Sequence, residues 1–264
     1  NTAVGASALR FNTTGAGNVS LGMSAMYSNT TGDFNVGIGR STLQNNTTAS
    51  NNTAVGYLAL EANTTGTRNT AIGTLALDAN TTADDNTAMG YESLGANTTG
   101  ANNTAFGKSS LKANTTSGDN TAVGFKALCT NTTGVGNIGV GAYALQSNTT
   151  ANESTAVGYV ALNDNTTGGQ NTAVGRGAMQ SNTTASNNTA VGWNALNANT
   201  TGQCNQAFGR SAGSEGVSGD NNHSFGYDAQ PSSTTVSHQI TLGNGANNNL
   251  RCADTSISTL SDLR

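Results

Sequence analysis

The sequence predicts an all-β chain wound as a parallel β-solenoid, and three observations carry that prediction. A 17-residue motif recurs fifteen times, starting at residues 1, 18, 35, 52, 69, 86, 103, 120, 137, 154, 171, 188, 205, 222 and 239, with no insertion or deletion. The fifth slot of the motif is glycine in all fifteen copies, from Gly5 to Gly243. Apolar residues are locked to fixed slots rather than scattered. A unit this short cannot bury a core alone, so strict tandem register makes each copy one rung of a stack.

The copy 52–68 shows the slots in order: Asn-Thr-Ala-Val-Gly-Tyr-Leu-Ala-Leu-Glu-Ala-Asn-Thr-Thr-Gly-Thr-Arg. Slots 1 to 4 form the first strand. Slot 5 never accepts a side chain, which points to positive φ or close backbone approach, and we read Gly56, Gly73, Gly90, Gly107 and Gly124 as corners. Slot 4 is always Val, Ile, Leu, Met or Phe, and slot 9 is Leu or Met in the first twelve copies. These slots supply the expected core: Val55, Leu60, Ile72, Leu77, Phe106, Val123 and Leu128. Slots 12 to 14 read Asn-Thr-Thr in twelve copies, a second corner built on asparagine's tolerance of left-handed backbone and its backbone-bonding amide. A rung of this length suits two short strands and two turns, and a helical turn over slots 6 to 10 is an open alternative. Fifteen rungs at about 4.8 Å each give a rod roughly 70 Å long.

Charge and cysteine usage narrow the function classes. Up to Asp228 every Asp, Glu, Lys and Arg falls in slots 6, 7, 10, 11, 16 or 17, the water-facing slots. A net charge of −4 gives no basic footprint for nucleic acid. No apolar run approaches the roughly 18 residues that span a membrane. Cys129, Cys204 and Cys252 fall in different slots, which favours neither a disulfide framework nor a metal site. His223 and His238 stand among polar neighbours and read as surface residues. No nucleophile with its base, no metal-ligand spacing and no phosphate loop can be assembled, so the expectation is a protein without cofactor, metal or enzyme activity on the repeat. Carboxylates such as Asp84-Asp85 are a poor calcium cage. The Asn-Thr-Thr triplets are formal glycosylation sequons, and stacked Asn and Thr ladders are the plainer account of them.

Slots 3 and 4 are both apolar, yet neighbours on a strand point to opposite faces. Ala54 and Val55 cannot enter one core, so the strand has two dry faces. That reading makes the chain an obligate oligomer, with Val in the core and the Ala face against a partner chain. Tyr57, Tyr91, Phe125, Tyr159 and Trp193 all occupy slot 6 and form an interrupted stripe, for packing or for stacking on sugars.

The pattern Asn-Thr-Ala-Val-Gly-Tyr-x-Ala-Leu resembles the head repeats of trimeric autotransporter adhesins and related repeats of viral and phage fibres. The resemblance covers residues 1 to about 243. It implies a left-handed parallel β-roll assembled as a homotrimer. Those adhesin repeats are shorter, and the Asn-Thr-Thr corner accounts for the extra residues. The expected organisation is a repeat shaft over 1–243, a capping segment over 244–260, and 261–264 as the start of a further domain. Ser261-Asp262-Leu263-Arg264 is similar to the junction that opens the self-cleaving chaperone of endosialidase-type tail fibres. That resemblance makes Ser261 the nucleophile of a cut after Leu260.

The leading expectation is a mechanical one: a trimeric shaft of a virion tail fibre or extracellular filament that presents a receptor-binding element to a cell-surface glycan or protein. The shaft would bind itself as a homotrimer and join end to end into a filament. The alternatives are a bacterial cell-surface adhesin head and an ice-binding solenoid.

Overall fold

A computed structural model describes residues 1–246 of the chain. It contains fifteen three-residue strands, β1 (Thr2–Val4) to β15 (Ile240–Leu242), one per rung at slots 2 to 4. All fifteen lie in one parallel sheet in sequence order. β4 (Thr53–Val55) pairs with β5 (Thr70–Ile72) so that Thr53 faces Thr70, Ala54 faces Ala71 and Val55 faces Ile72. Each strand touches only the strands before and after it. The chain is an all-β solenoid of about fourteen turns.

The expected second strand is absent from the rung. Slots 6 to 11 are turns instead, closed by hydrogen bonds such as Ala76 N–H to Gly73 O (3.3 Å) and Asn80 N–H to Leu77 O (3.2 Å). Slots 7, 9 and 17 adopt left-handed backbone, at Leu58 (φ 58°), Leu60 (φ 55°) and Arg68 (φ 58°). Left-handed backbone costs a non-glycine residue roughly 1–2 kcal/mol. Inter-rung hydrogen bonds offset it: Leu58 N–H reaches Arg40 O at 3.1 Å, and Leu60 N–H reaches Ala76 O at 3.0 Å. Reversing φ swings these N–H groups along the rod axis, where the neighbouring rung supplies the acceptor.

The interior also differs from the sequence expectation. Leu60, Leu77 and Leu128 are buried, as are the slot-3 alanines Ala54, Ala71 and Ala122. The slot-4 residues point outward: Val55, Ile72 and Val123 are half-buried and Phe106 is 51% exposed. The two faces of the strand are therefore the reverse of the expected assignment. The cause is cross-section. One sheet wound with tight turns leaves room inside for Ala at slots 3 and 8 and Leu at slot 9, but not for a second large side chain.

Asparagine fills the rest of the interior. Asn52 and Asn63, slots 1 and 12, are fully buried. Asn63 Nδ2 donates to Asn46 Oδ1 and to Gly66 O, each at 2.9 Å, and Asn80 Nδ2 donates to Asn63 Oδ1 at 2.9 Å. The slot-1 amide ties the rung shut: Asn52 Nδ2 donates to Gly66 O at 2.8 Å, while Asn52 Oδ1 accepts from Asn69 N–H at 2.9 Å. Among the described residues no buried side-chain polar atom lacks a partner. Slot 12 is not the left-handed corner its residue type suggests; its amide bonds backbone from inside the core.

A two-rung alternation runs beneath the 17-residue period. Slot 15 reads Gly32, Ala49, Gly66, Ala83, Gly100, Ser117, Gly134, Ala151, Gly168, Ala185 and Gly202. A Cβ at Gly66 would run into Ala83 O and lie 2.6 Å from Asn63 Oδ1. Slot 16 keeps the same beat. Asp84 Oδ1 accepts from Thr67 N–H (2.6 Å), Asn152 Oδ1 from Val135 N–H (2.7 Å), and Ser186 Oγ from Gly169 N–H (3.1 Å). The rungs with Ala at slot 15 thus lend an acceptor to the preceding rungs with Gly, whereas the Ser117 rung, with Gly118 at slot 16, lends none.

Candidate functional site

The solenoid offers surfaces rather than a cleft, and the strand divides them. The outward side of the sheet carries slots 2 and 4. Slot 2 gives a threonine column from Thr53 through Thr121, and slot 4 gives the apolar column that includes Val55, Phe106 and Val191. No charged residue occurs in either slot before residue 247. Near the end of the column Phe208 and Phe225 stack with centroids 5.6 Å apart and planes 5° from parallel.

On the side that follows the corner glycine lies slot 6. Its charged residues are all cations, Arg40, Lys108, Arg176 and Arg210, and its aromatics recur every second rung. Tyr57, Tyr91, Tyr159 and Trp193 are exposed, whereas Phe125 is half-buried. The structure brings cation and ring together. Arg40 lies 5.6 Å from the Tyr57 centroid, Lys108 5.7 Å from Tyr91 and Lys126 5.5 Å from Phe125. Tyr143, a slot-7 residue, bridges Phe125 and Tyr159 edge-on at 5.2 and 6.1 Å.

On the side that precedes the strand, slots 16 and 17 carry Asp33, Asp84, Asp85, Asp119, Glu153 and Asp220 against the one cation Arg68. Arg68 Nε and Asp85 Oδ1 are 2.7 Å apart across one rung, which raises the guanidinium and lowers the carboxyl from their ordinary ranges. The two edges differ in charge: slots 16 and 17 are mostly acidic, slot 6 carries only cations and aromatics among its charged and ring-bearing residues, and slot 7 mixes Glu92 and Asp228 with Lys126. Sequence reading placed these slots in water but did not see that the strand stands between the acidic slots 16 and 17 and the cationic slot 6.

No family model, curated protein or solved structure matches this chain.

The remaining features carry less chemistry. A shallow notch of about 220 Å³ is lined by Leu75, Asp78, Glu92, Gly95 and Lys112. Burial, then the charges of Glu61 and Glu92, pushes the Asp78 carboxyl up, while a hydrogen bond from Lys112 at 2.7 Å lowers Glu92. Cys129, whose thiol burial pushes up, and Cys204 are free. His238 Nδ1 lies 3.1 Å from Asn221 Nδ2 at the surface. Among the described residues no three His, Cys, Asp or Glu side chains are grouped to hold a metal ion, and no helix is long and apolar enough to cross a membrane. The asparagines that head the Asn-Thr-Thr triplets from Asn29 through Asn199 are buried with their amides engaged along the ladder, so these triplets present no surface to a glycosyl donor in the folded rod. The corner glycines Gly56, Gly73, Gly90, Gly107 and Gly124 have φ between 131° and 138°. Ser261 and Leu260 lie outside the described residues.

Proposed function

We propose that the chain is the shaft of a trimeric fibre, virion-borne or extracellular, in which three left-handed solenoids turn their sheets toward a common axis. The observation that carries the reading is the slot-4 column, apolar in every rung and facing outward along the length of the solenoid. Contiguous exposed apolar surface of that extent marks an interaction site. The occupant is a second and third copy of the same chain, because a periodic surface is best covered by one with the same period. The number three comes from the resemblance to adhesin and phage-fibre repeats, as does maturation by a cut before Ser261. Ser261→Ala in a chain continuing past Arg264 should stay uncut while its repeats fold; cleavage undiminished in that variant would remove the maturation step.

The test of the shaft itself is oligomeric state. Sedimentation equilibrium is expected to give three chains per particle. The pair Phe106→Asp and Val123→Asp should weaken assembly strongly, since two charges would be buried without partners. A folded wild-type monomer at micromolar concentration overturns the proposal. A second reading is favoured by the threonine column on the same uncharged face, which could order water as an ice-binding surface. Monomeric protein with thermal hysteresis would establish that reading in place of the fibre.

A further inference from the structure

The slot-6 row has a regularity that packing inside the chain does not require. The alternation at slots 15 and 16 closes hydrogen bonds between rungs. The rings of slot 6 lie beyond the strand from that corner and recur with the same two-rung period, about 10 Å along the axis. From residue 159 to 227 the row alternates strictly: Tyr159, Arg176, Trp193, Arg210, Tyr227. All three rings are exposed, at 48%, 38% and 57%. Arg210 sits between two of them, 4.9 Å from the Trp193 centroid and 5.5 Å from that of Tyr227, and Arg176 lies 5.7 Å from Tyr159. Among the described residues neither arginine forms an ion pair with a carboxylate. Asp228, stacked on Arg210 through its backbone N–H to Arg210 O at 2.9 Å, accepts from Gln230 Nε2 at 2.9 Å.

We infer that this row is a track for a linear acidic polysaccharide whose repeat is a disaccharide with one anionic sugar. Each two-rung unit offers one flat aromatic face and one guanidinium. An exposed ring stacks on the apolar face of a pyranose, as rings stack on other flat ligands. A guanidinium grips a carboxylate or sulfate with paired N–H donors. The spacing suits a two-sugar unit of an extended chain, so successive units would meet successive ring–cation pairs in register. Single-stranded nucleic acid fits less well. It carries a phosphate at every nucleotide and calls for a continuous basic groove, whereas here one cation serves each two rungs. The inference stands apart from the fibre reading, since it needs only one chain.

The test is titration of the purified protein with hyaluronan oligosaccharides, which alternate a carboxylate sugar with a neutral one, beside neutral cello-oligosaccharides and oligo-dT. Hyaluronan should bind, weaken as salt rises, and be preferred over both controls. Trp193→Ala and Arg210→Gln should each lower affinity about tenfold, with thermal melting and sedimentation unchanged. Arg68→Gln, on the far side of the strand, should leave binding intact. Equal binding of the neutral sugar, tighter binding of oligo-dT, no binding, or slot-6 variants that bind like wild type would each overturn the inference. Sedimentation in the same samples separates the two proposals: a trimer that ignores hyaluronan sinks the track alone, and a monomer that binds it sinks the fibre alone.

Discussion

Gly124→Val is expected to lower the stability of its rung by about 3 kcal/mol or more. Gly124 has φ 131°, a region that a β-branched side chain does not enter without strain. A Cβ built there would lie 2.7 Å from both C and O of Gly141 and 3.0 Å from the Ala142 nitrogen. These are backbone atoms of the next rung, so no side chain can swing aside. Because each rung leans only on its neighbours, the fault should divide the rod. Hydrogen exchange should show protection falling at rungs adjoining residue 124 while distant rungs keep theirs. Thr121→Val, on the outward face of the preceding strand, is the matched control and should change stability by no more than about 0.5 kcal/mol. A Gly124→Val chain with a wild-type urea midpoint would show that slot 5 tolerates a side chain and that the corner is misassigned.

The second large effect is expected from the asparagine ladder. Asn63→Ala should cost about 2–4 kcal/mol. The substitution removes the only donor to the buried Asn46 Oδ1, takes one acceptor from Asn80 Nδ2 and leaves a void in the core. Thr64→Ala removes a half-exposed hydroxyl that donates to Thr81 O at 3.0 Å and should cost about 1 kcal/mol or less. Urea denaturation of the two variants side by side is the measurement. Equal costs would mean that the ladder does not govern the interior.

The rung and the parallel, in-order stacking of its copies are legible in the sequence because an unbroken period of so short a unit favours one repeated neighbour contact. The leucines of slot 9 announce their burial. The faces of the strand are not legible, for a physical reason. Phe106 and Val55 have the size of core residues, and Ala54 does not, yet the narrow lumen admits only the small one. Slot 12 misleads in the same way: Asn63 has the composition of a corner and the position of a core residue. Left-handed turns at Leu58 and Leu60 also escape sequence reading, since leucine is not a residue type that announces positive φ. The cation–ring row was half visible. The spacing of Tyr57 and Tyr91 shows in the sequence, but the seat of Arg210 between Trp193 and Tyr227 appears only when the rungs are stacked.

The alternation of slot 15 limits which rungs can be neighbours. From Gly32 to Gly202 no rung with Ala or Ser at that slot adjoins another of its kind. Removing residues 86–102 would seat Ala83 beside Ser117, whereas removing 69–102 leaves Gly66 followed by Ser117 and the order undisturbed. A one-motif change that seats two Ala or Ser rungs together is therefore expected to create a fault, whereas one that pairs two glycines repeats the arrangement of Gly15 and Gly32. Between Gly32 and Gly202 the complete repeat is thus 34 residues, and the 17-residue motif is half of it.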